Sequence, residues 1–183
     1  MSDGLLGDSD ASGSDGEIPR LRMRRMVPSD VPAVVEIETS TFSTPWNEAT
    51  FRSLLERSGV EVWVAEWEKE EAVAAYAILW CILDEGELAN LAVRGDLRGK
   101  GIGSKLLSRV LEAAADAGVR DLYLEVRESN RGARRMYAQS GFKEIGVRKG
   151  YYDRPHEDAR VLKKPLGGSP DAPPSQPQFG KRL

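Results

Sequence analysis

The sequence predicts an α/β fold, a mixed sheet flanked by helices in a single domain. Segments with strand-like alternation and segments with helical periodicity follow one another along the chain. At residues 87–107 a strand leads through a glycine-rich loop into a helix. The length of 183 residues, with 40% hydrophobic and 30% charged residues, suits one soluble domain that buries a substantial core. We place this domain at residues 20–166.

The two ends of the chain differ from the domain in composition. Residues 1–19 are rich in Gly, Ser and Asp and hold five acidic residues with no Lys or Arg, while residues 167–183 are rich in Pro and Gly. Both are predicted to be disordered, because they hold too few apolar groups to offset the entropy lost on ordering. The rest of the chain is nearly neutral, which argues against a nucleic-acid binder with a general basic face.

Two helices are predicted in the first third of the chain, after a short strand at 21–27. The first begins at Pro28-Ser29-Asp30, and the segment Phe42-Ser-Thr-Pro-Trp46 ends it. Asn47 can cap the second, which Gly59 ends.

Three strands are predicted next. Residues 60–67 alternate in polarity, and a charged turn at 68–71 leads into a longer strand at 72–83. Asp84-Glu85-Gly86 then turns the chain into the strand before the glycine-rich loop.

The second half of the domain begins with a helix from Ile102 that Gly118 stops. The strand at 121–127 follows, and its alternation places Glu125 opposite its leucines. Three more elements complete the prediction: a helix capped by Ser129 or Asn130 and stopped by Gly141, and strands at 142–147 and 160–164 joined by a connection at 149–158.

The glycine-rich loop predicts a site for an anion such as the phosphates of a nucleotide-like cofactor. Its four glycines let the backbone approach a ligand in front of the positive end of a helix, and Arg98 and Lys100 add charge. A Walker A loop does not fit, because Gly95 and Gly99 enclose three residues instead of four. A dinucleotide fingerprint fits poorly, because its third glycine is missing. A tight turn with a glycine cap would not need four glycines and two cations.

The loop sequence Arg98-Gly99-Lys100-Gly101-Ile102-Gly103 fits the pattern R/Q-x-x-G-x-G/A and resembles the pyrophosphate loop of GNAT acetyltransferases. The order of elements is also similar to the GNAT fold, which implies a mostly antiparallel sheet. The pieces F-S-T-P-W, L-E-V-R-E-S-N and Y-Y…E-D-A resemble the RimI group of that family, the ribosomal-protein-alanine N-acetyltransferases. The resemblance covers residues 20–166. It implies acetyl-CoA as co-substrate, no metal, and a protein N-terminus as acceptor, possibly an Ala-starting ribosomal small-subunit protein.

Two residues match the catalytic positions of this group. Glu125 is implied as general base acting through water, although a solvent-facing charge on an alternating strand has the same pattern. Tyr137 is implied as the acid, since a phenol of pKa about 10 can protonate a thiolate of pKa about 8.5. Its spacing beside Met136 also fits a core aromatic residue.

The resemblance further implies cofactor contacts and an acceptor groove. Asn130 and the backbone of Leu91, Ala92 and Val93 match cofactor-binding positions, the strand accepting pantetheine as an added strand would. The groove walls are implied at five positions, of which Trp46 fits a core position equally well: Phe42, Pro45, Trp46, Tyr151 and Tyr152.

Cys81 and His156 are given no catalytic role. A single Cys excludes an internal disulfide, and Cys81 with His156 forms no recognisable metal cluster. The acidic amino end and the lack of a long apolar run predict a cytoplasmic protein without a membrane partner. Two alternatives stay open: an enzyme acting on lysine side chains or small amines, and a non-catalytic acyl-CoA-binding sensor.

Overall fold

Seven strands and four α-helices make up the part of the chain that the structure, a computed structural model, describes: residues 20–68 and 70–167. In chain order the elements are β1 (Leu21–Arg25), α1 (Val31–Thr41), α2 (Glu48–Glu56), β2 (Val60–Trp67), β3 (Ala72–Ile82), β4 (Glu85–Val93), α3 (Ile102–Asp116), β5 (Asp121–Arg127), α4 (Arg131–Gln139), β6 (Lys143–Asp153) and β7 (His156–Pro165). The predicted disordered tails lie outside the described residues, except for Gly167. None of the helices described is long and apolar enough to cross a membrane.

The strands form one sheet in the order β1-β2-β3-β4-β5-β7-β6, which confirms the predicted mixed sheet. All neighbouring strands are antiparallel except β4 and β5. These two pair only from Glu85 to Glu87, opposite Asp121 to Tyr123. Beyond that point they separate, and the sheet is open between them.

Helices cover both faces of the sheet and create two apolar cores. On one face, α3 packs against the sheet through Leu106 and Leu107, which have no exposed surface, and α4 contributes the buried Tyr137 to the same core. On the other face, α1 and α2 pack through Val34 and Phe51, which are also fully buried. Full burial of such side chains stabilises the fold by roughly 1.5–3 kcal/mol each. The gap between β4 and β5 therefore lies between two well-packed helical layers, α3 with α4 and α1 with α2.

Three predicted boundaries were wrong, besides that of β1, which ends at Arg25 instead of residue 27. The turn before β4 lies at Leu83 and Asp84, so Glu85 and Gly86 already belong to the strand. Helix α2 ends at Glu56, three residues before Gly59.

The third error concerns residues 149–158, which continue β6 and β7 as one long hairpin instead of forming a loop. An irregularity between Arg148 and Tyr152 interrupts the pairing of the two strands. There Gly150 has a φ of 57°, and its N–H donates to Asp158 at 2.9 Å. At the irregularity the side chains no longer alternate regularly between the two faces of the sheet. The alternating sequence pattern therefore ends before the strand, which continues to Asp153.

Candidate active site

A cleft of about 430 Å³ opens where β4 and β5 separate. The 42–46 loop between α1 and α2 forms one side, and residues 150–153 of β6 form another. The middle of β4, the end of β5 and the start of α4 complete the lining. The cleft therefore joins segments that lie far apart in the sequence but converge at the opening of the sheet.

The wall formed by β4 contains a bulge at Ala89. Ile78 of β3 pairs with Asn90, whereas the next residue, Leu79, pairs with Leu88. The extra residue resets the alternation of the strand, as bulges do. Leu91 consequently lines the cleft and packs on the α3 side.

The other two β4 residues predicted to contact the cofactor lie on opposite faces of the sheet. The side chain of Ala92 is 3% exposed in the α1 and α2 core, so it is turned away from Leu91. Val93 packs on the α3 side. What Ala92 can offer a ligand is its backbone, as the prediction required.

The glycine-rich loop has open space above it at Gly99 and Gly101. Both have a left-handed backbone, with φ of 76° and 78°, and a Cβ built at either would meet no atom of residues 20–68 or 70–167 within 4 Å. Gly101 is the N-cap residue of α3. Lys100, between them, is exposed. A helix N-terminus with exposed backbone and nearby positive charge can bind an anion.

The other residues of the 98–103 motif make contacts within the fold instead of facing open space. Arg98 donates to the carbonyl of Val93 at 3.1 Å and to Oγ1 of Thr41 at 2.9 Å, so its side chain ties β4 to α1. Ile102 is buried in the core. A Cβ at Gly103 would lie 3.3 Å from Sδ of Met136, so this glycine allows α3 to approach α4 closely.

Glu125 and Tyr137 both line the cleft. Glu125 projects from β5 with its side chain 15% exposed, and its Oε1 lies 2.8 Å from Nη1 of Arg148. Tyr137 reaches the cleft from α4, is 7% exposed, and packs edge-on against Phe142 at 5.6 Å. The structure thus brings the two predicted catalytic residues into one cleft, where a carboxylate and a phenol can exchange protons with a bound molecule.

Asn130 also lines the cleft, at the N-terminus of α4. Its Oδ1 accepts from the N–H of Ala133 at 3.1 Å, which is the N-cap interaction predicted from the sequence. Of the nearby arginines, Arg134 donates to Glu128, and Arg131 and Arg135 are exposed.

Aromatic side chains from the 42–46 loop and from β6 line two sides of the cleft. Phe42 and Trp46 line it from the 42–46 loop, whereas Pro45, also predicted as a groove wall, is exposed and is not among the lining residues. Tyr151 and Tyr152 line it from β6, with their rings edge-on at 5.0 Å. The ring of Trp46 also packs at 6.2 Å from that of the buried Phe51. Trp46 therefore contributes to both the wall and the core.

Two arginines near the cleft were missed by the sequence reasoning: Arg127 lines it, and Arg148 pairs with Glu125, which lines it. Arg127 donates to Ser43 Oγ at 3.0 Å and to Glu157 at 2.8 Å, and its guanidinium lies 4.0 Å from the ring centre of Tyr152. Arg127 shares the alternation of β5 with Glu125, so the strand pattern could have placed it in the cleft.

No sequence pattern of this kind indicated that Arg148 would lie near the cleft. It lies on β6, and β7 separates that strand from β5. The residue of β7 that pairs with both Arg127 and Arg148 is Ala159, whose small side chain is fully buried between them. Arg148 crosses β7 at this point to reach Glu125.

Charge pairing holds the hairpin against the rest of the cleft. Burial raises the pKa of Glu157, but hydrogen bonds from Arg127 and from Ser129 lower it by more, so the pKa stays below its usual value. The carboxylate of Glu157 is therefore ionised at neutral pH and anchors Arg127 to the neighbouring strand β7.

Cys81 and His156 lie outside the residues that line the cleft. Burial raises the pKa of the Cys81 thiol, which disfavours a reactive thiolate. His156 is exposed at the start of β7. Within residues 20–68 and 70–167, no group of His, Cys, Asp and Glu has an arrangement suited to a metal ion.

Comparison with known proteins matches this architecture to one family. The profile of the acetyltransferase (GNAT) family matches residues 31–142. The ribosomal protein bS18-alanine N-acetyltransferases of Salmonella typhimurium strain LT2 and Escherichia coli K12 are each 35% identical over 140 residues, covering 75% of this chain and 93% of the relative.

Solved structures give the same result. The crystal structure of the ribosomal-protein-S18-alanine N-acetyltransferase from Escherichia coli has a TM-score of 0.75 at 31% identity, covering 83% of this chain and 97% of that one. A ribosomal-protein-alanine N-acetyltransferase from Brucella melitensis has a TM-score of 0.70 at 25% identity, with coverages of 79% and 99%. Enzymes of this family are acyltransferases that use acetyl-CoA as co-substrate. The chain, an acyltransferase similar to the RimI enzymes, belongs to the GNAT family.

Proposed function

We propose that this enzyme transfers the acetyl group of acetyl-CoA directly to the α-amine of a protein N-terminus, without a covalent enzyme intermediate. The observation that carries the proposal is the cleft between β4 and β5, which both Glu125 and Tyr137 line and whose β4 wall leads directly into the glycine-rich loop. The names of the relatives support a ribosomal acceptor with an N-terminal alanine.

The donor side is formed by the loop and by β4. The open backbone at Gly99, Lys100 and Gly101, at the positive end of α3, suits the pyrophosphate of acetyl-CoA. The backbone of Leu91, Ala92 and Val93 borders the gap in the sheet, where pantetheine can align as an added strand. Asn130 lies where it can contact the same ligand.

Glu125 and Tyr137 divide the proton transfers. Glu125 removes a proton from the attacking ammonium group, directly or through a water molecule, so that the neutral amine adds to the thioester carbonyl. A backbone N–H of the bulged β4 stabilises the oxyanion. When the C–S bond breaks, the hydroxyl of Tyr137 protonates the departing thiolate. From ammonium to amide the nitrogen gives up two protons: the one taken by Glu125 is released to the solvent, and the one lost after the attack replaces the proton that Tyr137 gives to the sulfur, so the reaction is balanced.

The acceptor side favours an α-amine. An α-amine of pKa about 8 is roughly one-tenth neutral at pH 7, whereas a lysine of pKa about 10.4 is neutral in fewer than about one molecule in a thousand. A single carboxylate base suits the α-amine, because the α-amine loses its proton more easily than a lysine side chain does. The aromatic walls at Phe42, Trp46, Tyr151 and Tyr152 suit a short peptide end inserted between the loop and the hairpin. Ribosomal proteins as acceptors would place the enzyme in the cytoplasm.

The test uses two versions of one peptide beginning with alanine, incubated with enzyme and acetyl-CoA and analysed by mass spectrometry. One has a free α-amine and no lysine; the other has a blocked terminus and an internal lysine. We expect acetylation of the free terminus only. Acetylation confined to the lysine version would establish the lysine alternative, and acetylation of neither would favour a small-amine acceptor or a sensor.

A further inference from the structure

A carboxyl group that no catalytic step uses is buried beside the cleft. Glu38, near the end of α1, has no exposed surface. Asn90 donates to its Oε2 at 3.1 Å, the N–H of Trp46 donates to its Oε1 at 3.0 Å, and the hydroxyl of Tyr76 donates to Oε2 as well. These donors come from β4, from the 42–46 loop and from β3. One carboxyl group thus joins three segments to α1.

Stability alone does not account for this arrangement. Burying a carboxyl group costs free energy, and buried ionic groups can often be replaced by apolar residues without loss of stability. The donors to Glu38 are a phenol, an amide and a backbone N–H, all of them neutral. What a fully bonded buried network does provide is a defined position for each of its members.

The members of this network border both sides of the cleft. Asn90 follows the bulge residue Ala89 and precedes Leu91, and all three line the cleft from β4. Trp46 lines it from the 42–46 loop. The ring of Tyr76 packs edge-on at 5.6 Å from Phe51, which in turn supports Trp46. Glu38 therefore fixes the aromatic wall relative to the strand on the other side.

We propose that Glu38 is a positioning residue, whose carboxyl group holds the 42–46 loop against the bulge of β4 and so places the acceptor amine relative to the acetyl group. The inference rests on the proposed acetyl transfer. It differs from the roles of Glu125 and Tyr137, because Glu38 does not line the cleft and acts through Trp46 and Asn90.

The test compares Glu38→Gln with Glu66→Gln. Glu66 is a matched control, since it is also buried, at 4% exposure, and also bonds to several groups, but its partners Arg22 and Arg24 lie on β1. Glutamine keeps the shape of Glu38 but replaces one acceptor oxygen with a donor, so the network cannot satisfy all its members. A small displacement of a reacting group lowers rate strongly, so we expect the kcat/KM for the acceptor to fall about tenfold or more in Glu38→Gln. The dissociation constant of acetyl-CoA should be unchanged, and Glu66→Gln should keep wild-type kinetics.

Hydrogen exchange gives a readout that does not depend on activity. The amides of the 42–46 loop should exchange faster in Glu38→Gln than in Glu66→Gln, even when both variants have the same melting temperature. If Glu38→Gln does not fold, Tyr76→Phe removes one donor only and should shift both measurements in the same direction by less. Equal loop exchange and equal acceptor kinetics in the Glu38 and Glu66 variants would overturn the proposal.

The two proposals can fail separately. The kinetics are measured with whichever amine the wild-type enzyme acetylates fastest. A wild type that ignores the alanine peptide contradicts the proposed function, whereas the comparison of Glu38 with Glu66 still decides the role of Glu38.

Discussion

Glu125, which lines the cleft, forms an ion pair with Arg148, with Oε1 and Nη1 2.8 Å apart, although β7 separates their strands. The pair gives the carboxylate a fixed place on the cleft wall. Arg148 in turn lies 5.6 Å from the ring centre of Tyr151, so the proposed base and the aromatic wall share one cation. Any change at Arg148 should therefore affect both.

Replacing the proposed base should slow chemistry more than binding. Glu125→Gln keeps the shape of the side chain but cannot accept a proton, so we expect kcat to fall by about 10²-fold or more, with little change in acetyl-CoA affinity. Steady-state kinetics and calorimetry measure the two effects. Glu144→Gln is a suitable control, since Glu144 is exposed on β6 and pairs with Arg160. A wild-type rate in Glu125→Gln would mean that the carboxylate is structural.

Removing the proposed acid should have a similar effect. Tyr137→Phe deletes one hydroxyl and keeps the packing against Phe142, so we expect turnover to fall by about 10²-fold or more while the melting temperature changes little. Tyr123→Phe is the matched control, because Tyr123 is also buried, at 2% exposure against 7% for Tyr137, but does not line the cleft. If the two variants lose the same small fraction of activity, Tyr137 is a core aromatic residue and not the acid.

The glycine-rich loop can be tested with two glycines that flank the same helix. Gly101 and Gly118 have φ of 78° and 83°, and a Cβ at either meets nothing within 4 Å of the described residues. Alanine at either site carries similar backbone strain, but only at Gly101 would the Cβ obstruct a bound pyrophosphate. Calorimetry should show acetyl-CoA affinity reduced about tenfold in Gly101→Ala and unchanged in Gly118→Ala. Equal affinities, or tight binding of NAD to the wild type, would contradict the assignment of the loop.

The lowered pKa of Glu66 predicts how the free energy of unfolding depends on pH. Hydrogen bonds from Arg24 and then Arg22 lower the pKa of Glu66 from 4.5 to about 2. Between these pH values the unfolded chain binds a proton that the folded chain does not, so the stabilisation is present above about pH 4.5 and is lost as the pH falls toward about 2. In urea unfolding, the stability advantage of the wild type over Glu66→Gln should shrink across this range. An advantage that does not change with pH would show that the carboxylate is not stabilised by its arginines.

Local patterns in the sequence were sufficient to predict the position of a residue whose contacts are with its near neighbours in the chain. Asn47 caps α2 by accepting from the N–H of Thr50 at 2.9 Å, as predicted. The alternation of β5 correctly placed Leu122 and Leu124 in the core and Glu125 on the other side. The assignment of residues 1–19 and 167–183 as tails stays a prediction.

The rest of the site depends on contacts between distant parts of the chain. Glu38 follows the buried Ile37 and reads as an ordinary polar position of a helix, yet its partners Tyr76 and Asn90 lie 38 and 52 residues away. Arg148 reaches Glu125 across a third strand. Helical spacing and strand alternation describe which face a residue occupies, but they do not say which distant residue it meets there.

The long hairpin of β6 and β7 has a consequence for how acceptor preference can change. Residues 148–157 supply Arg148, Tyr151, Tyr152 and Glu157 from one contiguous stretch, whereas the glycine-rich loop, Glu125 and Tyr137 all precede it. A single recombination or grafting event that keeps Arg148 could therefore replace one wall of the proposed acceptor groove and leave the proposed donor half of the cleft intact. Within a shared scaffold, new acceptors could be acquired by exchanging one hairpin, without rebuilding the proposed site for acetyl-CoA.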